Sequence, residues 1–142
     1  MTRTVTGKSV GFWVAKRMGG SFCPDEAVAI GLERHGKLIA GTIFEQWNGR
    51  SMVCHMAIDG LMTPEYLRGI AEYAFKTCGA YKIIAPVYSD NLKAMRLIPH
   101  MGFVEEACIR NAQPGGSIIL FTMTVWDCPF LKGKYAENYV YA

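Results

Sequence analysis

The sequence predicts an α/β fold, a mixed β-sheet with helices on both faces. Strand-like runs at 27–34, 38–46 and 51–59 follow one another through short turns, which is typical of an antiparallel meander. An amphipathic helical stretch then separates 51–59 from the apolar run 81–87. Because a strand–helix–strand unit of this kind returns its second strand parallel to the first, the predicted sheet is mixed.

Length and composition suit one domain. The chain has 142 residues, of which 51% are hydrophobic, and this is enough for one substantial core. We therefore predict a single domain at 1–131 and a C-terminal tail at 132–142. In the tail, Tyr135, Tyr139 and Tyr141 alternate with polar residues. The tail is either a mobile end or an extra strand that pairs with a partner.

Charge and apolar patterning exclude several classes of protein. The net charge of +3 is spread along the chain without a basic stripe, so nucleic-acid binding is not expected. No apolar run reaches the roughly 20 residues of a membrane span, and the first seven residues lack the apolar core of a signal peptide. We therefore expect a cytoplasmic protein that does not enter a membrane.

The cysteines indicate neither disulfides nor a metal site. They are odd in number, widely spaced and never form Cys-x-x-Cys, so we expect reduced thiols and no bound metal. The five are Cys23, Cys54, Cys78, Cys108 and Cys128.

Helix signals frame the strands. Apolar residues recur at helical spacing from Lys8 to Met18, and Gly19-Gly20 ends that helix. A second helix starts with Thr63 as N-cap and Pro64 in the first turn, and Gly79 ends it. Its predicted buried face consists of Leu67, Ile70, Ala71, Ala74, Phe75 and Cys78.

A third helix follows the strand at 81–87. Ser89-Asp90-Asn91 supplies good N-cap residues for a helix at 92–100. Strands at 103–111 and 117–126 then form a hairpin through the turn at 113–116. The predicted order is helix, three antiparallel strands, helix, parallel strand, helix and hairpin.

The junction after the strand at 81–87 carries a family resemblance. Asn91, Ala94 and Leu97, followed by Gly102-Phe103, resemble the Asn-x-x-Ala-x-x-Leu-(Tyr)-x-x-x-Gly-Phe pattern of the GNAT superfamily, the acyl-coenzyme A-dependent N-acyltransferases. The order of elements agrees with that fold over about residues 8–126. A looser likeness is to compact RimJ/RimL-like proteins often carried by tailed bacteriophages, for which the location would be the host cytoplasm. The residues that carry it are Glu105-Glu106, Arg110-Asn111-Ala112, the run from Ser117 to Met123, and Trp126-Asp127-Cys128.

The resemblance implies acetyl-coenzyme A as the acyl donor and a primary amine as the acceptor. The acceptor would be a protein N-terminus, a lysine or a small amine. In the family the two central parallel strands splay apart, and the pantetheine arm hydrogen-bonds to the exposed backbone like an added strand. Here these strands are 51–59 and 81–87, and the backbone N–H groups of Met56, Ala57 and Ile58 would face the thioester.

The expected pyrophosphate loop departs from the family pattern. That pattern reads Arg/Gln-x-x-Gly-x-Gly/Ala, and this sequence keeps only Gly60 of its glycines. Pro64 removes an N–H donor and Glu65 adds negative charge, so both oppose anion binding. Thr63 and Glu65 either cap the helix alone or also border the phosphate site. The residues expected to bind the cofactor here are Gly60, Leu61, Met62 and Thr63, with charge from Arg68, Lys93 and Arg96, and Asn91 beside the thioester.

Catalytic candidates surround the same junction. Asn91 either only caps its helix or also orders a cofactor amide or a water. The family often places a tyrosine acid seven residues beyond this Asn, but here the residue is Ile98, so Tyr88 and Ser89 are the candidate substitute acids. His55 is a candidate base, or otherwise a hydrogen-bonded core residue, and Glu45 is a second candidate. Alternation predicts His55 on the strand face opposite Met56.

A second function is consistent with the same departures. A GNAT-fold module that has lost catalysis would tolerate Ile98 and the altered phosphate loop, and would act through protein–protein contacts, including a homodimer. The sequence therefore predicts an N-acetyltransferase and keeps a binding module as the alternative.

Overall fold

A computed structural model describes residues 1–131, so the predicted tail at 132–142 lies outside the described residues. The elements, in chain order, are β1 (Thr2–Thr6), α1 (Lys8–Met18), β2 (Ala27–Arg34), β3 (Lys37–Glu45), β4 (Ser51–Ile58), α2 (Pro64–Ala71), β5 (Lys82–Tyr88), α3 (Leu92–His100), β6 (Val104–Gln113) and β7 (Gly116–Thr124). A π-helical segment, Glu72–Thr77, continues α2, and a 3₁₀ turn, Pro129–Leu131, ends the described chain.

The seven strands form one mixed sheet in the order β1-β2-β3-β4-β5-β7-β6. Neighbouring strands are antiparallel except for β4 and β5, which run parallel. The connection between these two strands is α2, as the sequence predicts. The predicted fold class is therefore confirmed.

The two parallel strands separate soon after they meet. Their pairing covers Ser51 to Val53 on β4 and Lys82 to Ile84 on β5, and both strands continue beyond it. Pro86 lies two residues beyond Ile84, the last β5 residue that pairs with β4, and it has no N–H to donate. The predicted splay is therefore present. Pro86 is a sequence signal for this splay in addition to the order of the strands.

Helices cover both faces of the sheet, and strand alternation determines which face each side chain enters. Ile43 packs in the cluster under α1, whereas its neighbour Phe44 packs in the larger cluster under α2 and α3. Gly31 and Gly41 pair across β2 and β3, and a Cβ at Gly41 would lie 2.5 Å from Val14 of α1. These glycines allow α1 to approach the sheet closely.

A buried tyrosine anchors α2. The Oγ1 of Thr63 accepts a hydrogen bond from the N–H of Tyr66 (3.1 Å), which confirms the predicted N-cap. The hydroxyl of Tyr66 donates to the carbonyl oxygen of Ile30 (2.7 Å) and also contacts Thr42 Oγ1 (2.8 Å). The predicted buried face omitted Tyr66, because helical periodicity ranks tyrosine below aliphatic residues and cannot show a polar partner on the sheet.

The structure adds a strand that the sequence analysis did not predict. β1 pairs antiparallel with β2 from Thr2 to Thr6. Its side chains are mostly exposed, so no apolar alternation marks it. The alternating threonines at 2, 4 and 6 are the available signal, because β-branched residues favour strands.

Glycine explains the Gly-Phe pair after α3. Gly102 has φ of 100°, a left-handed conformation that side chains rarely adopt, and a Cβ there would lie 2.6 Å from Pro129. Phe103 then enters the core. Within residues 1–131, no helix is long and apolar enough to cross a membrane.

Candidate active site

A cleft of about 740 Å³ opens where β4 and β5 diverge. Its walls are the carboxyl-terminal halves of these strands, the end of α1 with the following loop, and the first turns of α3. Of the predicted site residues, eight line it: Glu45, His55, Met56, Ala57, Ile58, Tyr88, Asn91 and Lys93. The structure thus brings together residues from four separate elements.

The edge of β4 that faces β5 is unpaired over most of its length. Successive residues of a strand direct their N–H and C=O groups to opposite edges. The N–H of Asp59 donates to Ile39 of β3 (2.7 Å), whereas the carbonyl of Ile58 accepts from Lys93 on α3 (2.6 Å). The backbone groups of Met56 and Ile58 therefore face the cleft, and those of Ala57 face β3. Ala57 also borders the cleft, although its backbone N–H and C=O groups face β3.

The two candidate bases contact each other. The Nε2 of His55 lies 3.1 Å from Oε1 of Glu45, with side-chain exposures of 21% and 28%. The β3–β4 register places Glu45 opposite Val53, so Glu45 and His55 are diagonal neighbours on one sheet face. Since a carboxylate oxygen accepts, the tautomer of His55 that satisfies this contact carries its proton on Nε2 and donates a hydrogen bond to Oε1 of Glu45. The Nδ1 lone pair of His55 is left as an acceptor.

Asn91 has both a structural contact and a free donor. Its Oδ1 accepts a hydrogen bond from the N–H of Ala94 (3.2 Å), so it caps α3 as predicted. Its side chain lines the cleft, and within the described chain its amide nitrogen has no partner. The amide N–H groups are therefore available to a ligand.

The position after Leu97 offers no acid. Ile98 is 6% exposed, borders the cleft and carries no proton donor. Tyr88 lines the cleft at the end of β5 and is 51% exposed. Ser89 does not border the cleft, and its Oγ accepts a hydrogen bond from the N–H of Ser117 (2.9 Å). Of the two candidate acids, Tyr88 is therefore the one that borders the cleft.

The start of α2 is a weak anion site. Pro64 has no N–H, and the N–H groups of Tyr66 and Leu67 are taken by the side chain and carbonyl of Thr63. The N–H of Gly60 donates to Ile39 (3.1 Å). Six predicted cofactor residues do not border the cleft: Gly60, Leu61, Met62, Thr63, Arg68 and Arg96. Thr63 caps the helix and does not border the cleft, which agrees with the alternative that it is a cap alone.

Two cationic side chains do border the cleft, Lys93 and Arg17. The Nε of Arg17 donates to Oδ2 of Asp59 (2.9 Å), and its guanidinium stacks on Trp13 at 3.7 Å from the ring centroid. Arg17 is not among the predicted site residues, and its position in the last turn of α1 is the sequence signal that could have indicated it. Lys93 is the cation whose only described contact is a backbone carbonyl.

Cys54 borders the cleft but is not a nucleophile. Burial raises the pKa of its thiol from 9.0 to about 12. The thiol stays protonated near neutral pH, and only a thiolate attacks efficiently. Among the described residues, no group of three His, Cys, Asp or Glu side chains could hold a metal ion.

No protein-family model and no curated protein matches this sequence. Solved structures do match. A single-residue variant of the spermidine N-acetyltransferase SpeG from Vibrio cholerae has a TM-score of 0.71 at 15% identity, over 92% of this chain and 96% of the other. A chimera of that enzyme with hSSAT has a TM-score of 0.60 at 20% identity, over 70% of this chain and 68% of the other.

A third match carries the acyl donor. YncA from Salmonella typhimurium, named provisionally as an acetyltransferase and solved with its cofactor acetyl-CoA, has a TM-score of 0.65 at 11% identity. The match spans 87% of this chain and 93% of that one. At these identities the likeness establishes a shared fold.

Proposed function

From the N-acetyltransferase fold that this chain shares with those structures, we propose that it transfers an acetyl group from acetyl-coenzyme A to a primary amine. One observation carries the proposal: the cleft combines an unpaired β4 edge with a Glu45–His55 pair. The edge suits an amide-bearing arm, and the pair suits removal of a proton from an amine.

The cleft residues fit coenzyme A unequally along its length. Met56 and Ile58 present backbone groups on an open edge, as a strand-like pantetheine arm requires. The phosphates find few N–H donors at the start of α2. Lys93 is well placed to compensate for these missing donors. Its amine lies at the carboxyl end of β4, which forms the mouth of the cleft, and it can exchange the Ile58 carbonyl for a phosphate.

His55 and Glu45 prepare the acceptor. An amine attacks only when it is neutral, so its proton must be accepted within the cleft. Nδ1 of His55 is the acceptor atom, and Glu45 holds the ring through Nε2 and stabilises the imidazolium that forms. Glu45 acts through His55 and is a positioning residue.

Charge that develops during transfer would meet donors from two strands and a helix. Bound acetyl-coenzyme A would supply an activated acyl group as a thioester. The N–H groups of Met56 and Ile58 lie on the cleft edge where an oxyanion would be stabilised. Tyr88 would return a proton to the leaving sulfur, and the amide of Asn91 would order a ligand amide or a water.

The acceptor class stays a proposal. The SpeG structures are spermidine N-acetyltransferases, and this favours a small polyamine among the amines considered. A protein N-terminus and a lysine are the other candidates. All three present a primary amine to the same His55–Glu45 pair.

The direct test measures binding and turnover separately. A ligand at 100 times its dissociation constant stabilises a protein by about 2.7 kcal/mol, so acetyl-coenzyme A should raise the melting temperature. Free coenzyme A thiol should then appear when spermidine, a lysine peptide or an N-terminal peptide is added. No thermal shift at millimolar acetyl-coenzyme A would contradict the proposal.

A second candidate is a binding module without catalysis. The observation that favours it is the start of α2, where Pro64 and the Thr63 cap leave little for a phosphate. Such a module would bind a protein partner or a second copy, and the tail at 132–142 would be part of that contact. Failure to bind acetyl-coenzyme A, together with self-association or partner capture that deletion of 132–142 abolishes, would establish it.

A further inference from the structure

The inner end of the cleft is apolar. Where β4 and β5 separate, the cleft is bordered by Cys54, Ala85 and Ile98, which are all buried. These side chains belong to the cluster under α2 and α3. His55 lies on the opposite face of β4, because alternation separates it from Cys54 and Met56. The proton acceptor and the apolar end of the cleft are thus on different faces of the sheet.

This arrangement determines where an acyl chain would lie. Lys93, the cation placed for phosphates, is at the mouth of the cleft and contacts the end of β4. An extended arm that enters there and follows the β4 edge inward reaches Met56 and then Cys54. The acyl group at the far end of the arm therefore points towards the apolar end, while an amine reaches the carbonyl from the side of His55.

A second cavity continues beyond this end. It has a volume of about 20 Å³ and shares Cys54 and Met56 with the cleft. Its other walls include Phe44, Met101 and Met123. Methionine is unbranched and adapts its shape readily, so Met56 can rotate to join the two spaces. At the usual position of a tyrosine hydroxyl, Ile98 adds apolar surface instead.

We propose that the preferred donors are thioesters with acyl chains longer than acetyl, of the propionyl and butyryl class. The inference rests on the proposed acyl-transferase function and concerns the donor. In the reaction the amine nitrogen forms a bond to the acyl carbon, the bond from that carbon to sulfur breaks, and the amine proton passes through His55 to solvent or to the released thiolate. The additional methylenes are buried among Cys54, Met56 and Ile98.

The test compares acetyl-, propionyl-, butyryl- and hexanoyl-coenzyme A with one saturating amine on the wild-type protein. Each methylene buried in apolar surroundings is worth about fourfold in kcat/KM, and butyryl has two more than acetyl, so butyryl-coenzyme A should exceed acetyl-coenzyme A by about fifteenfold. A wild type that uses acetyl-coenzyme A as well as or better than butyryl-coenzyme A overturns the inference and leaves the proposed function intact. If no donor is used, the proposed function itself fails.

Two variants test the location of the chain. Cys54→Leu fills the inner end, and Ala94→Leu narrows the cleft from α3, where leucine keeps a good helix former in place. Both should lower the ratio of butyryl to acetyl turnover towards one. The matched control is Cys108→Leu, the same change on an exposed β6 residue outside the cleft, and its ratio should equal that of wild type.

The ratio keeps the test independent of folding. If Cys54→Leu lowers the melting temperature too far, Ala94→Leu and the wild-type donor series still decide the question. An unchanged ratio in a folded Ala94→Leu protein, measured beside Cys108→Leu, would place the acyl chain elsewhere and contradict the inference.

Discussion

The contact between Glu45 and His55 joins two side chains that sequence reasoning treated as separate candidates for one role. Their hydrogen bond gives them different roles, because only Nδ1 of His55 remains free to accept a proton. The half-buried position lets the pair meet a ligand while limiting screening by water.

Loss of His55 should reduce turnover strongly. General-base catalysis contributes about 10²- to 10⁴-fold, so His55→Gln should lower kcat by about that factor with a small change in the KM for acetyl-coenzyme A. Glu45→Gln should cause a smaller loss of kcat, because the amide oxygen can still accept from Nε2 while the negative charge that stabilises the imidazolium is gone. The control is His35→Gln in the β2–β3 turn. Equal activity of His55→Gln and His35→Gln would contradict the assignment.

Burial of Cys54 should make stability fall at alkaline pH. Its pKa is raised from 9.0 to about 12 by burial, so the folded protein holds a proton that the unfolded chain releases above about pH 9. This contribution is fully present below pH 9 and is lost as pH rises towards 12. The cost is up to about 1.4 kcal/mol per pH unit.

Urea denaturation in a reducing buffer measures this effect. The free energy of unfolding should fall between pH 8 and pH 10 in wild type, and the fall should be smaller in Cys54→Ala. Cys108→Ala, an exposed thiol, should behave as wild type. Identical pH dependence in wild type and Cys54→Ala would show that burial does not hold the thiol neutral.

Among the elements, α3 combines support and ligand contact in one residue. Asn91 caps the helix with its oxygen and borders the cleft, and its amide nitrogen has no hydrogen-bond partner among the described residues. Since serine and aspartate cap as well as asparagine but cannot offer the amide donors, the two roles can be separated by substitution.

Asn91→Ser should therefore keep the melting temperature within a few degrees and weaken acetyl-coenzyme A binding or turnover. Asn91→Ala should lose about 1 kcal/mol of stability in addition, because the cap is gone. Thermal melts with and without acetyl-coenzyme A measure both effects. If Asn91→Ser binds and reacts as wild type does, Asn91 is a cap alone.

The start of α2 offers few backbone donors to an anion. The helix starts at the Thr63 cap and Pro64, and the Tyr66 hydroxyl attaches it to the sheet. Pro64 has no N–H and the N–H of Tyr66 is bonded to Thr63, so neither is available to a phosphate. The charge for phosphate must then come from another element, and Lys93 of α3 supplies it under the proposed function.

At the scale of the whole molecule, two contacts between distant segments complete the cleft. Lys93 of α3 reaches the carbonyl of Ile58 at the end of β4, and Arg17 of α1 reaches Asp59 just beyond it. Both cations thus close the mouth of the cleft around the carboxyl end of β4. Only Lys93 can exchange its partner without breaking an ion pair.

Lys93→Met should raise the KM or Kd for acetyl-coenzyme A, with an effect that diminishes as salt increases, because phosphate contacts by exposed cations are screened. An acetyl-pantetheine donor without phosphates should be used equally by wild type and Lys93→Met. The control is Lys16→Met, an exposed α1 residue outside the cleft. Equal losses with both donors would show that Lys93 does not contact phosphate.

Most of the fold could be predicted because its signals are local. Helix caps at Thr63 and Asn91, glycine stops at Gly19 and Gly79, and alternation in β2 to β4 depend on residues a few positions apart. The strand β1 was missed because an edge strand buries little and needs no apolar pattern.

The candidate site divides along the same physical line. The pattern that resembles the GNAT superfamily made Asn91 and the position of Ile98 candidates, and strand alternation placed His55 on its face, because each of these signals lies within one segment. Three contacts are seen only in the folded chain. Glu45 holds His55, Lys93 contacts Ile58, and Cys54 lies beside an apolar end of the cleft. These contacts depend on strand register and on packing between elements far apart in sequence, and no local pattern encodes either distance.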